Sequence, residues 1–273
     1  MGILYLVATP IGNLEDITLR ALRVLREVQL IAAEDTRHTR KLLTRYQIKT
    51  PLLSYHEHNK QARLPELLER LEGGSVALVS DAGTPGLSDP GYELVQAAVA
   101  GGHQVSPIPG PAAPIAALVA SGLPTDRFVF LGYLPRKAGE LDRLLKELLG
   151  EPRTMLAFEV PHRLRSTLAA VGRGFGDDRP IAVCRELTKL HEEIVRGTVA
   201  EVRGHFGSSD PRGEITLVIA GAGSAVEWDE QAVRKAVAAR IAQGLRRSEA
   251  AREVAAEAGW PRSTVYRLAG ERE

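Results

Sequence analysis

The chain has 273 residues, 44% of them hydrophobic and 25% charged, which is ample for a large buried core and excludes wholesale disorder. Lysine and arginine total 35 against 34 acids, a formal net charge of +1, so no global field draws a polyanion and any nucleic-acid contact must rest on a local patch. Cys184 is the only cysteine, which excludes an internal disulfide framework and a multi-cysteine metal site. The first residues lack the basic region and cleavage site of a signal peptide, and Leu6 stands where a myristoylation signal needs Ser or Thr. No apolar run approaches the ~18 residues that span a bilayer. The expectation is a soluble cytoplasmic protein with no membrane partner.

In chain order, residues 3–9 read as a buried strand, and Asp16 or Thr18 caps a helix with apolar positions Leu19, Leu22, Leu25 and Val28. Residues 30–33 make a second strand and 37–46 a basic helix. A helix over 64–71 stops at Gly73-Gly74, followed by a strand at 76–80 and a helix at 92–100. A strand at 104–108 and a small-residue helix at 112–121, entered through Pro109-Gly110-Pro111, close this half. The alternation predicts a mainly parallel sheet with helices on its faces. After a linker at 123–126, strands at 128–133, 154–159, 181–185, 194–199 and 214–220 predict a mixed α/β unit, the last three strands having little helix between them. Gly221-Ala222-Gly223-Ser224 punctuates. From Glu227 the chain is Ala/Arg/Glu-rich and helical, broken at Gly259-Trp260-Pro261.

Ser80-Asp81-Ala82-Gly83-Thr84-Pro85-Gly86 follows a predicted central strand, where open α/β sheets bind ligands. It lacks the Lys-Ser/Thr ending of a P-loop, and a carboxylate at the strand tip disfavours phosphate. A polar ligand other than a polyphosphate fits, against the plainer reading of Asp81 as a turn former. Thr9-Pro10-Ile11-Gly12-Asn13 and Pro109-Gly110-Pro111-Ala112-Ala113 also end strands. Each alone is a connecting turn, but three in one sheet point to a single pocket. Glu34-Asp35-Thr36-Arg37-His38-Thr39-Arg40-Lys41 offers either a base beside a phosphate-gripping surface or a helix capped by Asp35 or Thr36 with a solvated basic face. His56-Glu57-His58 lacks a third ligand and reads as a loop, so no metal is expected. Gly172-Arg173-Gly174-Phe175-Gly176 mimics a nucleotide fingerprint without a preceding strand and reads as a loop. Residues 248–255 and 259–266 have a helix–turn–helix look, which suits either a DNA reader or a docking module.

Several of these motifs in one order carry a resemblance. Residues 9–14, Ala33-Glu34-Asp35-Thr36-Arg37-His38-Thr39, 80–85, Asp89-Pro90-Gly91 and Pro107-Ile108-Pro109-Gly110-Pro111 are similar to those of the bacterial 16S ribosomal RNA cytidine 2′-O-ribose methyltransferases. That family belongs to the tetrapyrrole-methylase-like group of S-adenosylmethionine-dependent enzymes. The likeness continues through residues 123–128, Glu159-Val160-Pro161-His162-Arg163-Leu164 and Arg185-Glu186-Leu187-Thr188-Lys189, and covers about residues 3–223.

The resemblance implies two α/β domains, residues 1–122 and 125–223, with a helical extension at 224–273. It further implies a methyl donor in the cleft between the domains, a homodimer, and 16S rRNA of the small subunit as partner. By motif it places S-adenosylmethionine against Pro10, Asp81, Gly83, Ala112 and Ala113, with second-domain contacts at Glu159 and Ala222. The glycine-rich first loop of porphyrin-acting relatives is replaced here by Thr9-Pro10-Ile11-Gly12-Asn13, which weighs against a tetrapyrrole substrate. The chemistry asks for alignment of a ribose oxygen, methyl carbon and sulfur, and profits from a base. Asp35 and Glu34 are the candidates, ahead of His38. Arg37, His38, Arg40, Lys41, Arg136, Lys137, Arg163 and Arg185 are the candidate RNA-holding residues. The competing readings are a tetrapyrrole-type small-molecule methylase and a non-catalytic nucleic-acid binder using the C-terminal helices.

Overall fold

The computed structural model describes residues 2–207, 211–223, 230–242, 244–258 and 260–270. The expected breaks at Ser224 and Gly259, and the helix start at Glu227, lie outside the described residues.

The first domain carries a five-stranded, wholly parallel sheet in the order β3-β2-β4-β1-β5, formed by β1 (Ile3–Val7), β2 (Leu30–Ala33), β3 (Leu52–Ser54), β4 (Val76–Val79) and β5 (Gln104–Ile108). β2 and β4 are buried at every residue, as strands covered on both faces must be. Pro107, which cannot donate a ladder hydrogen bond, sits in the edge strand β5. The helices here are α1 (Leu19–Glu27), α2 (Thr36–Arg45), α3 (Lys60–Gly73), α4 (Tyr92–Ala100) and α5 (Ala113–Ser121). Thr18 caps α1 through Ala21 N–H at 3.0 Å, and Asp35 caps α2 through Arg37 N–H at 2.8 Å. The strand β3 escaped the sequence reading because three residues are too few to show alternation.

The second sheet runs β6-β7-β10-β8-β9, from β6 (Phe128–Tyr133), β7 (Thr154–Glu159), β8 (Pro180–Arg185), β9 (Glu193–Thr198) and β10 (Ile215–Ile219). Only the β6–β7 pair is parallel, so this is the expected mixed sheet. One face buries Met155, Ala157, Val183 and Leu217 against α6 (Ala138–Glu147), α7 (Leu164–Phe175) and α8 (Val199–His205). The opposite face buries Leu156, Ala182, Cys184 and Val218 against Ala117 and Leu118 of α5, a helix that the chain builds before it reaches this sheet. Burial pushes the Cys184 thiol up to about 11.

Two expectations need correction. A full helix, α8, stands between β9 and β10, started by a capping box in which Thr198 and Glu201 bond each other's backbone N–H. Residues 172–175 belong to α7 and only Gly176 leaves it. Leu164, Leu168, Val171 and Phe175 form one buried helical stripe, which outweighs the ~1 kcal/mol that each glycine costs in a helix.

α9 (Glu230–Ala242), α10 (Arg247–Ala258) and α11 (Arg262–Leu268) pack around their own small core of Val233, Val237, Ala250, Ala251, Val254, Val265 and Leu268. Among the described residues no helix is long and apolar enough to cross a membrane.

Candidate active site

The carboxyl ends of β1, β2, β4 and β5 converge on one side of the first sheet, and the second domain faces them. Thr9, just past β1, and Gly83, past β4, exchange backbone hydrogen bonds of 2.8 and 2.9 Å, so the loops after β1 and β4 are tied into one surface. The Asp81 carboxylate accepts the Asp35 backbone N–H at 2.9 Å, and the Glu34 carboxylate accepts the Asp81 N–H at 3.4 Å. The strand tips of β2 and β4 therefore brace each other.

The cleft so formed encloses about 480 Å³, within the range of small-ligand sites. Glu34, Asp81, Gly83, Asp89, Ala112 and Ala113 line it on the first-domain side, and Tyr133, Phe158, Glu159, Glu214 and Thr216 on the other. Two of its carboxyls, Glu34 and Asp89, hold their protons more tightly than usual. Burial lifts the Glu34 carboxyl above the usual range, with Asp81 adding to it. Asp89 is pushed up to about 6, chiefly by burial and then by Glu34, against the opposing bond from the Ser80 hydroxyl. The field of Glu214 and Asp89 adds to burial in raising the Tyr133 phenol.

Each wall has a structural cause. β6 slips register between Phe130 and Tyr133, and Gly132 takes φ +66 there. This bulge re-aims the end of the strand, and Tyr133 lands beside Phe158, ring centroids 5.3 Å apart. Glu159 is buried and fully engaged: it accepts from the Thr167 hydroxyl at 2.5 Å and from the Val160 N–H at 2.7 Å, and lies 3.5 Å from Arg163. A smaller hollow of about 230 Å³ joins the cleft at Ile11, Asp81 and Glu214 and is lined by Pro10, His38 and Lys41.

The two domains touch beside this hollow. Asn13 N–H donates to the Thr188 hydroxyl at 3.1 Å, and a Cβ on Gly12 would meet Leu187 O and Thr188 Oγ1 at 2.7 Å each. Glu186 and Thr188 hold left-handed backbone there, φ 51 and 65, secured by Lys189–Glu186 at 2.7 Å and by Thr188 N–H to Glu192 at 2.7 Å.

The structure thus brings Glu34, Asp81, Gly83, Ala112, Ala113 and Glu159 together, with Pro10 in the adjoining hollow. Ala222 lies elsewhere. β10 runs antiparallel to β7, Ile215 is level with Glu159 at the cleft, and Ala222 bonds Glu151 O past the opposite end of the strand. Residues 213–216 occupy the place expected for it. Asp35 spends its carboxylate on the α2 cap and on Arg37 at 2.8 Å, which holds it far below the usual carboxylate range. Arg37, Arg40 and Lys41 form an exposed patch with Thr44. Lys137 pairs with Glu140, and Arg185 with Glu193 and Arg212 O. Arg163 donates to Leu134 O and Pro135 O. Asp89, Tyr133, Phe158 and Glu214 were absent from the sequence-derived site. Only Asp89 had a visible signal, in the Asp89-Pro90-Gly91 motif ahead of α4. Among the described residues no group of three or more metal-ligating side chains forms.

Residues 3–203 match the family model of the tetrapyrrole (corrin/porphyrin) methylases. The chain is 51% identical over 276 residues to "Ribosomal RNA small subunit methyltransferase I" of Synechocystis, covering 100% of this chain and 99% of that relative. A protein of the same name from Thermotoga maritima is 52% identical over 222 residues, which is 99% of it but 81% of this chain. Among solved structures, uroporphyrin-III C-methyltransferase from Thermus thermophilus, complexed with S-adenyl homocysteine, superposes with TM-score 0.57 at 20% identity over 80% of this chain and 97% of that one.

Proposed function

The chain belongs to the tetrapyrrole (corrin/porphyrin) methylase family, and from that premise we propose that it transfers a methyl group from S-adenosylmethionine to the 2′-hydroxyl of a cytidine ribose in 16S rRNA of the small ribosomal subunit. The carrying observation is the charge of the cleft. Glu34, Asp81, Asp89, Glu159 and Glu214 all line it beside the apolar Ile11, Leu87, Pro114 and Phe158. Such a wall repels phosphate and suits a donor with a sulfonium, an ammonium group and a flat heterocycle. Asp81 and Glu34 would hold cationic or hydroxyl groups, with the 83 and 112–113 backbones close by. When bound, the donor supplies an electrophilic methyl carbon with its own leaving group, so the protein need only align and deprotonate.

Alignment of acceptor and methyl carbon is worth on the order of 7–11 kcal/mol in favourable cases. Asp89 takes the place of general base, because it lines the cleft and burial raises its carboxyl to about 6, whereas Asp35 is committed to Arg37. The small-subunit rRNA substrate is supported by the names of the full-length relatives. Arg40 and Lys41, exposed and without a carboxylate partner among the described residues, meet the RNA backbone on the first-domain side. A second copy covers the exposed apolar residues Tyr92, Val99, Ile115 and Val119 of α4 and α5, giving a homodimer in the cytoplasm.

The test offers labelled donor to small subunits from cells lacking this protein. The expected result is label on one cytidine whose adjoining linkage resists alkali. Label on a base instead would reject the ribose assignment.

A further inference from the structure

Beside the donor cleft, β6 and the loop after β7 enclose another hollow, of about 690 Å³, lined by Tyr133, Leu134, Arg136, Val160, His162 and Arg163. Tyr133 and Val160 also line the cleft, so the two cavities meet at the tyrosine ring. The floor is built from tied groups. The Arg163 guanidinium donates to Leu134 O at 3.2 and 3.3 Å and to Pro135 O at 2.6 Å, and only 17% of its side chain is exposed. It clamps the chain leaving β6 against the turn at 160–163 and is itself withdrawn from solvent.

What remains outward is a different set. Arg136 and His162 are exposed, and neither has a carboxylate partner among the described residues. Tyr133 is 60% exposed although its ring packs on Phe158. An aromatic held in place with a free face, next to an uncompensated guanidinium and an imidazole donor, suits a planar base with its phosphate. The donor cleft carries five carboxylates, so an RNA strand entering it needs its flanking phosphates held outside that field.

We infer that this hollow is a subsite for the nucleotide adjoining the one whose ribose enters the cleft, its base stacked on Tyr133 and its phosphate on Arg136, with His162 as a second donor. The inference rests on the RNA-methylating function proposed above. It requires the RNA to be single-stranded at this point, because in a duplex the neighbouring base pairs cover both faces of each base.

The full chain is titrated with a short cytidine-containing RNA of small-subunit sequence, with S-adenosylhomocysteine present so that affinity is read without turnover. Tyr133→Ala weakens RNA binding by about 5- to 150-fold, the range of base–aromatic stacking, and Tyr133→Phe retains it. Arg136→Ala lowers the salt slope of RNA binding by about 1, and leaves S-adenosylhomocysteine affinity unchanged. Unchanged RNA affinity in Tyr133→Ala, an unchanged salt slope in Arg136→Ala, or equal binding of the same RNA annealed to its complement overturns the subsite. Failure of methyl transfer by the unaltered chain overturns the function alone, since the titration does not depend on it.

Discussion

Asp81 Oδ1 accepts the backbone N–H of Asp35 at 2.9 Å, across 46 residues of sequence. One carboxylate therefore both lines the cleft and fixes the turn that starts α2. Asp81→Ala removes the charge and orphans that amide, and a lost hydrogen bond to a charged group costs about 1.5–3 kcal/mol. The expected result in a calorimetric donor titration is a drop in affinity of at least tenfold. Asp81→Asn, which keeps an acceptor for Asp35 N–H, separates the two roles: the fold is retained and the donor affinity still falls.

Asp89 gives a pH signature. Its carboxyl is raised from the ordinary range to about 6, so the folded protein holds a proton there that the unfolded chain releases. That contribution to stability is present at low pH and is lost as pH rises through about 6, the sign expected when the native state binds the extra proton. The methyl-transfer rate moves the other way, rising through the same interval as the base ionises. Asp89→Asn flattens both profiles, and a variant whose rate profile keeps its full rise near pH 6 would remove Asp89 from the base position.

Thr167 supports Glu159 from beneath. Thr167→Val leaves the buried carboxylate short of one donor, and an unsatisfied buried polar group costs about 1–3 kcal/mol. Urea unfolding reads this as a lower midpoint with an unchanged slope. The wild-type midpoint would show that Val160 N–H and Arg163 suffice.

Gly12 is a contact between domains and has no room for a side chain. A Cβ there overlaps Leu187 O and Thr188 Oγ1, in a loop already holding left-handed backbone at Thr188. Gly12→Ala is expected to cost about 1–3 kcal/mol, as overpacking does. It also lowers kcat by displacing one wall of the site, and a variant with native kinetics would show that the loop yields freely.

The helices α9–α11 have their own core, and the Thermotoga maritima relative, matched over 99% of its length, pairs with only 81% of this chain. A chain ended at Gly223 is therefore expected to keep donor affinity while methylating subunits more slowly. Loss of donor binding on truncation would place the extension within the catalytic unit.

The sequence made the strand-tip loops legible because in each a buried apolar run ends in Gly and Pro, in acids, or in both, and Glu34, Asp81, Gly83, Ala112 and Ala113 do meet. It hid what depends on register and pairing. Ala222 sits in a conspicuous Gly-Ala-Gly turn, but antiparallel pairing of β10 with β7 sends it to the far end of the sheet. Tyr133 reaches the cleft through a bulge that no periodicity announces. Arg163 and Arg185 look like free cations in sequence, and only the folded chain shows the carbonyls and carboxylate that occupy them. The acidity shifts at Glu34 and Asp89 are likewise a product of burial together.

α5 begins in the cleft, where Ala112, Ala113 and Pro114 form part of the wall, and ends buried on the second sheet through Ala117 and Leu118. One helix thus belongs to both domains, a single rigid strut between the cleft wall and the second sheet, so the second sheet cannot change its angle to the first without carrying that wall along.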